Sequence, residues 1–326
     1  MIDMHAHICS YDNPELALKE LIYRSNAGIH TFFSTGTPIE YRYMLQLLKT
    51  ACQATCDVTC NTLCRESVRT PLIEPLNSFL KESFSASGEA MNRGVCSGFR
   101  LTFGIHPWYA DQWEPKDWGE YYQNVPMIGE IGMDNLWCDV PLDKQQRILE
   151  EQLTIAADLH KPVVLHTKGC EKRIAQIVKD YPYPVLVHWY SGDAESFDLF
   201  MNQGCFFTLG PDTGFFTLGP DTGFFTLGPD TGLDLPDDSS APSLLEHVPL
   251  DHLFVETDGL NAILWAYEMA GHTPPQSADA DPAPGFSIIK STLNMSVECT
   301  ALHHGLTKEE TLQQINQNLA AFCSTM

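Results

Sequence analysis

Hydrophobic residues along this chain fall into short, nearly unbroken runs separated by segments with helical spacing. The runs occupy residues 1–8, 29–34, 100–105, 126–131, 162–166, 184–188, 205–209 and 252–257. They are rich in β-branched and aromatic side chains and lack polar alternation. That is the pattern of strands buried on both faces of a parallel sheet. Between them, apolar residues recur at intervals of three and four. Leu16, Leu18, Leu21 and Ile22 mark a helix over 14–27 that Gly28 stops, and Ile148, Leu149, Leu153, Ile155 and Ala156 mark one over 141–159. Shorter helices are expected over 170–179 and 193–202, and two more, over 287–303 and 307–322, close the chain. Strand and helix alternating eight times predict an α/β fold, a (β/α)8 TIM barrel forming one domain over 1–326.

Three segments interrupt this rhythm and leave room for distortion of the ring. Residues 51–98 are too long for a simple connection and read as a helical excursion after strand two. Residues 271–285 are rich in Pro and Ala and read as a loop after strand eight. The nonapeptide FFTLGPDTG occurs three times without substitution, at 206–214, 215–223 and 224–232. Its period is far below that of solenoid units, so it reads as an insertion around strand seven. A connection of ~2–6 residues from the preceding helix favours the first copy as the strand and puts the other two in the following loop. The alternative places the last copy in the barrel.

The formal net charge of −23 weighs against tight binding of long duplex nucleic acid. It does not exclude chemistry on one phosphodiester in a pocket lined by cations. No apolar run reaches the ~18–20 residues of a membrane span. The motif DMHAH begins at Asp3, with no basic segment before it, so a cytoplasmic protein is expected. Eleven cysteines without an export signal are expected to be reduced. Cys52, Cys56, Cys60 and Cys64 repeat every four residues; they read as one helix face of small apolar side chains, with a soft-metal site as the alternative.

The chemistry gathers at the strand ends, which share one mouth in such a barrel. His5 and His7 lie two apart on strand one. Glu130 ends strand four, His166 strand five and His188 strand six, and Asp258 follows strand eight. Imidazoles and carboxylates converging from five strands make a site for divalent cations such as Mg, Mn or Zn.

These residues sit in the segments DMHAH (3–7), GIHPW (104–108), GEIGMD (129–134), PVVLHTK (162–168), VHWYSG (187–192), FVETD (254–258) and NLAAF (318–322). In order and extent they resemble the TatD family of metal-dependent hydrolases. The resemblance implies two metals, one held by His5, His7 and Asp258 and the other by His166 and His188, with Glu130 between them. It implies a nuclease, often working from the 3′ end, with Asp258 and Glu130 as the catalytic carboxylates. His106, in the motif GIHP, is placed either beside substrate or as a structural histidine behind the ligands. Lys168 replaces the family's usual Arg and offers a point charge to phosphate. Tyr190 either stacks on a base or packs. The expected substrate is single-stranded or end-exposed DNA. The alternatives are a small-molecule ester, amide or lactone, and a barrel that binds metal without turnover. No obligate protein partner is inferred.

Overall fold

All eight apolar runs form strands in a computed structural model of the chain, described over residues 1–8, 13–56, 98–213, 244–269, 271, 273 and 285–323 (side chains of 52–56, 244 and 246 excepted). They are β1 (Ile2–Ala6), β2 (His30–Phe33), β3 (Phe99–Leu101), β4 (Ile128–Gly132), β5 (Val163–His166), β6 (Val185–Val187), β7 (Phe206–Leu209) and β8 (Leu253–Val255). Every neighbouring pair within a sheet is parallel, and apart from the exposed His30 and Arg100 every strand residue is buried. Burial on both faces is why the runs do not alternate.

The strands form two arcs, β1-β2-β3 and β4 through β8. One seam is a single bridge between Phe103 and Ile128, with the Gly129 N–H donating to Phe103 O at 3.1 Å. At the other seam the Asp258 N–H donates to His5 O at 3.1 Å. Asp3 reinforces it, accepting from the Thr257 N–H at 2.9 Å and the Thr257 hydroxyl at 2.6 Å. The result is an eight-stranded α/β barrel, distorted at its seams. β3 is shorter than expected, but the chain stays close to both arcs beyond it: the Thr102 and Gly104 N–H groups donate to Phe33 O and Thr35 O at 2.9 and 3.2 Å, and Phe103 makes the bridge to Ile128.

Helices Pro14–Asn26, Leu142–Asp158, Ala194–Met201, Ser287–His304 and Lys308–Phe322 lie close to where the spacing put them, and Glu171–Ile177 is shorter than its expected span. Helices Pro38–Cys56 and Leu260–Met269 were not anticipated. No helix among the described residues is long and apolar enough to cross a membrane. The first copy of the nonapeptide supplies β7, pairing with both β6 and β8. The two later copies, most of the 51–98 excursion and most of the 271–285 loop lie outside the described residues. So do the side chains of Cys52 and Cys56, and Cys60 and Cys64 entirely.

Beneath the mouth, one fully buried cation ties the first helix to β1. Arg24 donates from Nη1 to Asp3 Oδ2 at 2.6 Å and from Nε to Glu20 Oε1 at 2.8 Å, and its guanidinium lies 5.3 Å from the Phe33 ring centroid. Removing one partner of a buried ionic cluster strands the others, at about 3–5 kcal/mol. Arg24→Ala is therefore expected to lower unfolding free energy by about that amount, read from denaturant melts. A loss under about 1 kcal/mol would mean that the carboxylates find other partners.

Candidate metal centre and substrate cavity

Each candidate ligand is placed by a strand or the turn after it. His5 lies within β1 and His7 just beyond it. His166 is the last residue of β5, and His188 directly follows β6. Glu130 lies in the middle of β4, not at its end, so its side chain projects into the barrel. Asp258 stands three residues past β8 in a left-handed conformation (φ 52°). The next residue is Gly259 (φ 96°), where a Cβ would come within 2.4 Å of His7 O. Only glycine lets the chain turn there and hold Asp258 over the histidines.

Glu130 is the hub. Its Oε2 lies 3.3 Å from Nε2 of both His5 and His7. Its Oε1 lies 2.6 Å from His166 Nδ1, 2.8 Å from His188 Nε2 and 3.6 Å from His106 Nε2. Asp258 Oδ1 approaches His5 and His7 Nε2 at 3.4 and 3.7 Å. The His5 and His188 rings stack at 4.4 Å. All six sequence-predicted ligands are thus brought together, with His106 beside them.

The donor set fits divalent cations. His5, His188 and Asp258 each offer a ligand atom within 4.8 Å of the others, and Nε2 of His5, Nε2 of His188 and Oδ1 of Asp258 are buried without an aligned hydrogen bond, close as the carboxylates and imidazoles stand. Such atoms are costly unless paired, and a cation would pair all three. The local field points the same way. Burial alone would depress the His5 imidazolium and favour a neutral Glu130. Instead the carboxylates hold His5 well above its ordinary value, and the histidines hold Glu130 well below its own. His188, also opposed by burial, is raised by Glu130 to about 9. The cluster demands positive charge, as a metal site does before its metal arrives.

His106 behaves differently. Burial outweighs Glu130 and takes it down to about 4, so it is neutral at pH 7. Its Nδ1 accepts from the Trp108 N–H at 3.2 Å, which assigns the proton to Nε2, on the Glu130 side. A protonated Nε2 is a donor, suited to a substrate oxygen more than to a metal.

Two carboxylates that sequence reasoning missed stand behind the ligands. Asp134 Oδ2 lies 3.0 Å from His166 Nε2, and Glu256 Oε1 lies 3.2 Å from His188 Nδ1. Asp134 also accepts from Trp108 Nε1 (2.7 Å) and from the Leu136 and Trp137 N–H groups (each 2.8 Å). Against burial, hydrogen bonds from His166, Trp108 and Trp137 bring it down to about 2. Each carboxylate holds its histidine with the opposite ring nitrogen facing Glu130, the arrangement that orients metal-binding imidazoles. Their signal was position: Asp134 closes GEIGMD, and Glu256 precedes Asp258 by two.

The cluster opens into a cavity of about 460 Å³. Four of the six tryptophans line it: Trp108, Trp137, Trp189 and Trp265. Trp108 and Trp137 are 44% and 45% exposed, leaving free ring area at the mouth. Lys168 lines the wall as expected. Its Nζ donates to Trp189 O (2.9 Å) and Ser191 Oγ (3.0 Å), and lies 5.8 and 5.0 Å from the Trp137 and Trp189 ring centroids. Tyr190 is a correction to the base-stacking alternative. It is buried against Phe197, Phe200 and Phe207, and its hydroxyl donates to Asp193 O. Trp189 faces the cavity in its place, its Nε1 donating to Asp212 Oδ1 of the first nonapeptide copy at 3.1 Å.

Comparison with known proteins points in the same direction. A family model described as TatD related DNase matches residues 2–324. The uncharacterised metal-dependent hydrolase YjjV of Escherichia coli is 26% identical over 156 residues, 47% of this chain and 52% of that protein. The 3′-5′ ssDNA/RNA exonuclease TatD of Pectobacterium parmentieri is 32% identical over 168 residues, 48% of this chain and 56% of that protein. The chain thus spans about half the length of these curated relatives. The crystal structure of the Escherichia coli protein YjjV superposes with a TM-score of 0.61 at 17% identity, covering 99% of this chain and 97% of that one.

Proposed function

Since this chain belongs to the TatD-related DNase family, we propose that it is a two-metal phosphodiesterase that removes nucleotides from the 3′ end of single-stranded nucleic acid. The observation that carries the reading is the division of Glu130. One oxygen faces His5 and His7 and the other faces His166 and His188, as a carboxylate shared between two cation sites must. His5, His7 and Asp258 would hold one divalent ion and His166 and His188 the other, the nitrogen and oxygen donors suiting Mg, Mn or Zn. Bound there, the ions would supply the charge that acidifies a water and offsets negative charge on a phosphoryl group.

The remaining work falls to the chain. Asp258 accepts the proton of the attacking water. His106 donates from Nε2 to a phosphate oxygen, and Lys168 adds a fixed positive charge on the same anion. Trp108 and Trp137 offer ring faces to bases, a contact that tolerates any sequence. Asp134 and Glu256 keep His166 and His188 aimed. The family's 3′-5′ exonucleases support the polarity.

A second reading, hydrolysis of a small ester, amide or lactone, is favoured by the net charge of −23 and the confined cavity. One experiment separates them: digestion of labelled single-stranded DNA beside a panel of small esters and lactones, with and without Mn. The expected result is metal-dependent shortening of the DNA from its 3′ end. Turnover of the esters with intact DNA would replace the first reading by the second.

A further inference from the structure

One carboxylate lines the cavity without belonging to the metal cluster. Glu40 lies in the first turn of helix Pro38–Cys56, just after β2. The Gly36 N–H donates to its Oε2 at 2.7 Å, and its own N–H donates to Thr37 Oγ1 at 3.1 Å. These bonds hold the side chain beside His106: an added Cβ at Gly36 would lie 3.4 Å from Glu40 Oε2 and 3.0 Å from His106 Cβ. Among the described residues none donates a hydrogen bond to its Oε1.

The only Lys or Arg among the described cavity residues is Lys168. It follows β5, and its Nζ is fastened to the turn after β6. In a ring of eight strands, β2 and β6 are diametrically opposed. The cavity is therefore polar from wall to wall, with a fixed cation on the β6 side, a fixed anion on the β2 side and the Glu130 cluster between them. A phosphodiester held at the cluster has both neighbours constrained. The side toward Lys168 tolerates a further phosphate. The side toward Glu40 repels one, because like charges at short range in a confined site are costly. A sugar hydroxyl there is welcome, since it donates to the carboxylate in a charge-assisted bond.

We propose that Glu40 reads the end of the substrate strand: it accepts a hydrogen bond from a free 3′-hydroxyl and excludes a strand that carries a 3′-phosphate or continues past that point. The inference rests on the exonuclease reading above and explains why a barrel mouth open enough for tryptophan stacking would act at ends.

The test uses the full chain with Mn at pH 8 and two oligonucleotides of one sequence, each labelled at the 5′ end, one ending in a 3′-hydroxyl and one in a 3′-phosphate. Wild type is expected to favour the hydroxyl end by about tenfold or more in kcat/KM, the equivalent of about 1.4 kcal/mol. In Glu40→Gln, which keeps the shape and loses the charge, the ratio is expected to fall below about threefold, chiefly through faster cutting of the phosphate end. Equal wild-type rates on the two ends would overturn the proposal, and so would a preference undiminished in E40Q. If E40Q fails to fold, the wild-type ratio alone decides. Cleavage of neither oligonucleotide, with turnover of small esters, would remove the exonuclease reading and this inference with it. Cleavage of both at one rate removes only the inference.

Discussion

Replacing Asp258 by Asn is expected to lower kcat by at least about 10³-fold while leaving the barrel folded. Asn keeps the size of the side chain but loses the charge and the proton acceptor, and acid–base catalysis alone is worth ~10²–10⁴. Oδ1 is buried 3.4 Å from His5 Nε2, among the ligands, where Glu130 is the one other described carboxylate grouped with His5. The fold does not depend on that oxygen. The backbone is pinned by the Asp258 N–H to His5 O bond and by the Gly259 turn, neither of which the substitution touches. Single-turnover kinetics and a thermal melt on the same sample check both halves. Most of the wild-type rate surviving would sink the assignment of Asp258 as the base.

The second large effect concerns metal content. Reconstituted wild type is expected to hold two equivalents of Mn or Zn per chain, and Glu130→Gln no more than one, with activity at background. Losing a carboxylate that merely supports a ligand costs roughly 10–100-fold in affinity. Glu130 is in direct contact with four histidines of the two sets, so its loss should cost more. Elemental analysis after dialysis measures it. A wild-type plateau at one equivalent, with His166 and His188 free of metal, would reduce the centre to a single ion.

The strands were legible because burial on both faces writes itself as continuous apolar text, and the ligands because ionisable residues inside or just after such runs stand out, although Glu130 lies in the middle of β4 and not at its end as expected. What stayed hidden has physical reasons. Helix Pro38–Cys56 buries Tyr41, Met44, Leu47, Leu48 and Ala51, a readable stripe, but it runs into a segment whose length suggested an excursion starting later. Asp134 and Glu256 act through other side chains, and their one signal, a place in the segments that also hold Glu130 and Asp258, does not say which histidine each one supports. Tyr190 was offered either as a stacking residue or as a packing one from its place in the segment VHWYSG (187–192). Trp189 has φ 36°, a left-handed turn that breaks the alternation, so Trp189 enters the cavity and Tyr190 joins the core. Glu40 drew no notice because its meaning depends on standing opposite Lys168, which only closure of the ring reveals.

The triplicated nonapeptide has a genetic consequence. The three copies are identical, so losing or gaining any nine consecutive residues within 206–232 leaves the same sequence on both flanks. Whichever unit slips out during copying, the text after Cys205 still reads Phe206 to Gly214, and it still encodes β7 with Asp212 beneath Trp189. The number of units can drift in a lineage while the strand and its contact to the mouth stay constant. Only the length of chain between β7 and helix Leu244–His247 changes, in steps of nine. Tract length can therefore vary in steps of nine residues while the strand that the first unit supplies is unchanged.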